Sequence, residues 1–343
     1  MLFQPAIMAL ILASVMATGM VAASVPFALR VLRRWDLSSG SEAQLVLERR
    51  TYLVSTVLKL VLLSQAAALI LFVFNADRMA TLFTGAMCAV GTLRVDPFGF
   101  PTLYLKIAVF FSAVAWLVLN HVDNLGWNYP LIRVKYAALL VLAPLLAAEL
   151  LVQLAYFLGL RADVITSCCS TLFSGGSVTI TDNSLASLPH RLSLALLGGI
   201  PVVMLAGGLL ILSSGRGGVL YAGLAGLAFA AGLAAVISTV SVYVYELPQH
   251  HCPFCLLKDE YGGIGYALYL PLFAGTACGL GVGIASWAQR QPSLKTAAPA
   301  VARRLACWSM AGFALFASVS AWLILRSNLI LLEPAAWRLG WFS

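Results

Sequence analysis

The sequence has little charge: Asp, Glu, Lys and Arg make up 10% of its 343 residues, whereas 61% are hydrophobic. A soluble globular domain carries about 25% charged residues, so this chain has too little polar surface to coat a water-soluble particle. Its apolar runs are long and do not alternate with polar residues, which favours membrane-spanning helices over strands. We therefore expect most of the surface to contact the lipid bilayer.

Several functional motifs are also missing. The sequence has no readable nucleotide-binding loop, Ser-His-Asp set or pair of catalytic carboxylates, so ATP hydrolysis and ordinary hydrolase chemistry are not expected. It has no aromatic-basic strip of the kind that binds nucleic acid. Leu256 follows Cys255, so no haem-attachment motif is formed, and all four histidines lie at span ends or in loops. A haem held by two histidines inside the membrane is therefore not expected.

The apolar runs predict an all-α transmembrane bundle of about eight spans, which forms a single integral membrane domain over residues 1–343. The predicted spans cover residues 7–29, 52–74, 102–119, 136–158, 192–212, 219–243, 266–287 and 307–325. The basic clusters of Arg30, Arg33 and Arg34, of Arg49 and Arg50, and of Arg303 and Arg304 fall on one face. By the positive-inside rule that face is cytoplasmic and both termini lie outside, as in a bacterial-type inner membrane.

Five of the seven cysteines then share the outer face, in three separate loops. Cys88 lies in the first outer loop, Cys168 and Cys169 in the second, and Cys252 and Cys255 in the third. Disulfides persist on the oxidising side of such a membrane. The outer loops therefore form the candidate site.

The sharpest motif is His250-His251-Cys252-Pro253-Phe254-Cys255. A Cys-x-x-Cys pair at the start of a helix has a lowered thiol pKa, because the thiolate sits beside the positive helix end. The motif is compatible with redox chemistry, with a soft metal such as copper or zinc held by Cys252, Cys255, His250 and His251, or with a structural disulfide.

Neighbouring cysteines such as Cys168 and Cys169 rarely bridge each other, because the small ring strains the peptide. One scheme bonds Cys88 to Cys168 or Cys169 and leaves the other thiol to exchange with the Cys252–Cys255 pair. The alternative is that Cys168 and Cys169 are inert loop residues.

Three charged residues stand within or at the end of predicted spans, where ionisable groups are costly. Lys59 lies in the second span and either pairs with Glu149 or extends toward the inner surface. Glu149 lies near the middle of the fourth span and is interpreted as a structural hydrogen-bonding group or a proton carrier. Glu246 closes the sixth span and begins a charged rim around the thiol pair.

The stretch from Tyr243 through Glu246 to Cys252-Pro253-Phe254-Cys255-Leu256 resembles the active-site segment of the bacterial vitamin K epoxide reductase family. The resemblance covers about fifteen residues. It implies that Cys252 and Cys255 pass electrons to a quinone, and that Cys88, Cys168 and Cys169 shuttle electrons from a periplasmic thiol or redox protein.

Three functions follow as hypotheses. The first is a membrane thiol–disulfide oxidoreductase, linked to quinone. The second is a metal-handling or metallocofactor-binding subunit. The third is a membrane anchor of a larger assembly, in which the cysteines only staple outer loops and the Gly- and Ala-rich spans pack against other membrane subunits.

Overall fold

The computed structural model describes residues 4–36, 41–161, 164, 166, 188–248 and 250–329. Cys168 and Cys169 lie outside the described residues, so their predicted roles stay predictions. In chain order the described α-helices are α1 (Pro5–Arg34), α2 (Glu42–Arg78), α3 (Ala89–Arg94), α4 (Gly99–Asp123), α5 (Ile132–Gly159), α6 (His190–Ser214), α7 (Gly218–Ala235), α8 (Ser241–Tyr245), α9 (Ile264–Ala288) and α10 (Ala297–Arg326).

Eight stretches of the described chain are long and apolar enough to cross a bilayer, which confirms the predicted all-α bundle of eight spans. The sixth span, Gly218–Tyr245, joins α7 and α8 through a π-helical segment at Val236–Val240. Which face is cytoplasmic stays a prediction.

Several helices are longer than the apolar runs that predicted them, because the helical backbone hydrogen bonds continue into the polar residues that flank these runs. Ser41 caps α2 by accepting a hydrogen bond from the Gln44 N–H, eleven residues before the predicted span begins. The last helix, α10, begins at Ala297. Cys307, the first residue of the eighth predicted span, therefore lies ten residues inside this helix.

The spans form two groups of four. Helices α1, α2, α4 and α5 pack together, as do α6, α7, α9 and α10, and the two groups meet chiefly where α4 packs on α9. Aromatic rings fill this junction: Phe111 of α4 stacks on Phe273 of α9 with ring centroids 5.7 Å apart, and Phe229 of α7 packs edge-on against Phe273 at 4.8 Å. The α4–α9 contact therefore fixes the position of the connections that precede each of these helices.

Two buried ion pairs join α4 to α5. Lys106 Nζ lies 2.6 Å from Glu149 Oε1, and Lys135 Nζ lies 2.7 Å from Asp123 Oδ2. Ser14 of α1 also donates to Glu149 Oε1 at 3.4 Å. All four charged side chains are at most 2% exposed, so each charge depends on its partner.

The suggested pairing of Lys59 with Glu149 is wrong, because Lys106 occupies that position. Lys59 is exposed on α2. Both lysines lie in spans, and only the rotation of each helix within the bundle decides which of them meets the carboxylate.

We expect Glu149→Leu to destabilise the protein by about 3–5 kcal/mol, because it leaves the Lys106 ammonium buried without a counter-charge. The double variant Lys106→Met with Glu149→Leu removes both charges and should recover most of that loss. Thermal unfolding in detergent measures the difference. Equal melting temperatures for the single and double variants would contradict this role of the ion pair.

Candidate thiol site

Three cysteines from two distant connections meet at one end of the bundle. The sulfur atoms of Cys88, Cys252 and Cys255 all lie within 4.8 Å of one another, and those of Cys88 and Cys252 are 3.5 Å apart. Their side chains are 0%, 1% and 6% exposed and belong to a hydrophobic cluster. We call this group the thiol cluster.

Cys88 lies just before α3, in extended backbone, and its carbonyl oxygen accepts the Gly91 N–H at 2.9 Å. Thr166 packs against this connection. Its N–H donates a hydrogen bond to the Thr84 carbonyl oxygen at 3.0 Å, and its hydroxyl donates one to the Gly91 carbonyl oxygen at 2.9 Å. Gly85 adopts a φ of +85°, and a Cβ atom there would lie 2.1 Å from the Thr166 carbonyl oxygen. A larger residue at Gly85 would therefore displace this contact.

Two tyrosines hold the backbone of the Cys-x-x-Cys segment. The Tyr245 hydroxyl donates to the Cys252 carbonyl oxygen at 2.6 Å, and the Tyr269 hydroxyl donates to that of Pro253 at 2.8 Å. Tyr245 ends the sixth span and Tyr269 lies in the first turns of α9. The segment is therefore fixed to the spans on both sides of it.

The expected helix start at the Cys-x-x-Cys pair is wrong. Cys255 begins a three-residue 3₁₀ turn, Cys255–Leu257, and α9 begins only at Ile264, after Gly262 and Gly263 with positive φ. The positive end of an α-helix consequently does not stabilise the Cys252 thiolate.

Neighbouring thiols supply that stabilisation instead. Hydrogen bonds donated by the thiols of Cys255 and then Cys88 hold the pKa of Cys252 well below its ordinary value, against the opposing effect of burial. The pKa of Cys255 is raised, because its proton is shared with Cys252 and because it is buried. Of the two cysteines of the motif, Cys252 is therefore the one that more readily forms a thiolate.

The two histidines follow the sixth span, next to the thiol cluster in the sequence. Among the described residues, the group whose ligand atoms all lie within 4.8 Å of one another comprises Cys88, Cys252 and Cys255, and metal ligation by His250 and His251 stays a prediction. The ring of His250 packs on that of Tyr245 at 4.4 Å, and His251 Nδ1 lies 3.1 Å from the Ile237 carbonyl oxygen.

The charged residues predicted to surround the thiol pair form ion pairs, and one of them, Glu246, hydrogen-bonds to a distant part of the chain. Glu246 adopts a φ of 54°, and its Oε1 accepts both the N–H and the side-chain amide of Asn328, at 2.9 and 3.1 Å. Arg78 pairs with Asp259 at 3.1 Å. Glu246 thereby connects the Cys-x-x-Cys segment to the chain that follows α10.

Sequence reasoning missed three residues that build the site or its support. Lys106 carried a signal, since a lysine just inside a span implies a buried partner. Tyr245 and Tyr269 carried none, because tyrosine is common at membrane interfaces. Cys278 and Cys307 lie apart from the thiol cluster.

The fold and the site define an eight-span helical membrane protein with three buried thiols at one end of its bundle. Comparison with protein-family models, with curated proteins and with solved structures finds no match. The functional argument therefore rests on the site.

Alkylation of the reduced protein tests the order of the thiol pKa values. A small reagent should label Cys252 before Cys255, with a profile that begins at lower pH than that of an ordinary thiol, because a lowered pKa leaves thiolate present at lower pH. Cys88→Ala removes one hydrogen-bond donor and should move the Cys252 profile to higher pH. Peptide mass spectrometry after timed labelling measures both.

Cys278→Ala is the matched control, because Cys278 is not part of the thiol cluster. Faster labelling of Cys255 than of Cys252 would contradict the assignment. So would a Cys252 profile that Cys88→Ala leaves unchanged.

Proposed function

We propose that the protein is a membrane thiol–disulfide oxidoreductase in which Cys252 exchanges disulfide partners between Cys255 and Cys88. One observation carries this proposal: Cys252 lies within reach of two other thiols, one in its own motif and one from a connection 164 residues away. A structural staple needs two cysteines. A third thiol beside them is what exchange requires.

The exchange step balances within the thiol cluster. From a Cys252–Cys255 disulfide, the Cys88 thiol loses its proton and attacks the Cys252 sulfur. The Cys252–Cys255 bond breaks as the Cys88–Cys252 bond forms, and the Cys255 thiolate that leaves takes up the proton that Cys88 released. The reverse step regenerates the original disulfide, so electrons pass in either direction between the two pairs.

A quinone is the proposed electron acceptor. Oxidation of the dithiol to a disulfide delivers two electrons and two protons, which is what converts a quinone to a quinol. Phe254, between the two cysteines of the motif, is half-buried and packs with Phe100 against the hydrophobic clusters on both sides. An aromatic surface beside the sulfurs supports this choice, as does the local resemblance to vitamin K epoxide reductases.

The electron donor is proposed to be a periplasmic thiol or redox protein. Because the thiol cluster is buried, a protein substrate needs an accessible intermediary. Cys168 follows Thr166 by two residues in the sequence, and Thr166 contacts both sides of the Cys88 connection. Cys168 and Cys169 are accordingly the proposed shuttle thiols, with this end of the bundle on the outer side of a bacterial-type inner membrane.

Serine substitutions test the redox proposal. Cys252→Ser should reduce thiol-oxidising activity in membranes to background, because the shared sulfur is lost. Cys255→Ser and Cys88→Ser should also abolish turnover, and each should trap Cys252 in a disulfide with the remaining cysteine. Non-reducing peptide mapping detects these disulfides, and oxidation of a model dithiol peptide with added quinone measures activity.

The control variants are Cys278→Ser and Cys307→Ser, which lie outside the thiol cluster and should retain full activity. If Cys252→Ser also retained full activity, the redox proposal would be wrong.

A soft metal site is the second candidate, since three thiols within 4.8 Å also form a ligand set for copper(I) or zinc. This function predicts about one equivalent of metal in protein purified without chelator, lost on substitution of Cys88, Cys252 or Cys255. Elemental analysis alongside the activity assay separates the two. Metal-free, active protein supports the oxidoreductase, whereas stoichiometric metal without thiol-oxidising activity supports the metal site.

A further inference from the structure

A cavity of about 420 Å³ lies between α2 and α4 at the end of the bundle opposite the thiol cluster. Thr51, Ser55 and Lys59 line it from α2, at intervals of four residues that place them on one helix face. Asn120 lines it from the last turn of α4, and Asn124, the residue after this helix, lines it four residues further on. Two helices thus present polar faces to the same space inside an apolar bundle.

One of these polar groups is buried without a partner. The side-chain oxygen of Asn120 makes no hydrogen bond within the described part of the chain, although this residue is only 5% exposed, whereas the Thr51 and Ser55 hydroxyls are engaged with the Tyr136 hydroxyl. A buried polar atom without a partner costs about 1–3 kcal/mol. A molecule that supplies a hydrogen bond to this oxygen would remove that cost.

The cavity is also electropositive. Lys59 lines it and forms no ion pair among the described residues, and His121 lines it from α4. No carboxylate lines the cavity. The nearby Asp123 is already bound, to Lys135 at 2.7 Å and to the Leu131 N–H at 2.8 Å. An anionic group in the cavity would therefore meet attraction without repulsion.

The cavity changes character along its length. Thr51 lies at its polar end, whereas Leu63 and Leu117 line it deeper in the bundle. Thr51 and Leu63 are twelve residues apart on α2, which is about 18 Å along a helix. A molecule that fills the cavity is therefore polar at one end and apolar at the other.

A second cavity of about 440 Å³ lies on the other side of α4 and shares Leu117 and His121 with the first. Its other lining residues are apolar except for Arg304. It lacks the buried hydroxyl and amide groups that distinguish the cavity between α2 and α4, so it specifies a ligand less closely.

We infer that the cavity between α2 and α4 binds an anionic phospholipid. Its phosphate pairs with the Lys59 ammonium, which extends along the helix toward the interface. A hydroxyl group of the headgroup donates to Asn120, and one acyl chain lies along Leu63 and Leu117. This site is independent of the thiol chemistry.

Native mass spectrometry of delipidated protein in detergent tests this inference, with dioctanoyl phosphatidylglycerol as the probe. Wild-type protein should retain it at least about tenfold more tightly than dioctanoyl phosphatidylcholine. Lys59→Met should lower the phosphatidylglycerol affinity about tenfold or more, because it removes a charge-assisted hydrogen bond. Asn120→Ala provides a second, smaller change and should lower the affinity severalfold, because it removes the acceptor of the headgroup hydroxyl.

Lys295→Met is the matched control, since Lys295 is an exposed lysine outside the cavity and in the loop before α10. It should leave the affinity unchanged, and both lysine variants should melt at the wild-type temperature without lipid, because both lysines are exposed. Equal loss in Lys59→Met and Lys295→Met would overturn the inference, as would equal retention of both lipids. Displacement of the lipid by inorganic phosphate at comparable concentration would show that a free anion is the ligand, which would also overturn it.

Discussion

Charge inside this bundle must be paired, and the rest of the arrangement depends on how α4 and α5 meet that requirement. Lys106 of α4 pairs with Glu149 of α5, while Asp123 of α4 pairs with Lys135 of α5. The two pairs have opposite polarity and lie about 20–25 Å apart along the helices. A shift of one turn between α4 and α5 would leave all four charges unpaired, so the pairs fix both the register and the antiparallel direction of these helices.

The register of α4 in turn sets the site. Cys88 lies in the connection before α4, and the Cys-x-x-Cys segment lies in the connection before α9. Since α4 and α9 pack on each other through Phe111 and Phe273, the two connections meet at the same end of the bundle. Each occupies the same place within its group of four spans, immediately before the third. This arrangement agrees with an architecture built from two related halves, a familiar device in membrane proteins.

The sequence predicted the fold well and the site in part, for physical reasons. Eight spans follow from apolar length alone, and the parity of the spans places Cys88 and Cys252 at the same end. Which thiols lie next to each other depends on how the helices pack side by side, and the hydrophobic pattern of the sequence does not encode this. The proximity of the Cys88 and Cys252 sulfurs was therefore not predictable. For the same reason, the sequence could not show that Lys106, and not Lys59, pairs with Glu149. The predicted helix at Cys252 failed because tyrosine hydroxyls from two spans hold the carbonyls of Cys252 and Pro253 in a turn.

Burial gives the thiol cluster its chemical character. An isolated thiolate in an apolar cluster would be strongly disfavoured, yet Cys252 receives hydrogen bonds from two thiols that have no other charge to balance. These hydrogen bonds offset part of the cost of burying a thiolate at Cys252. In the proposed function, a disulfide uses two of the three sulfurs and leaves the third thiol beside the bond as the attacking group. Two cysteines could only form and break one disulfide, whereas the third allows the disulfide to move from Cys252–Cys255 to Cys88–Cys252.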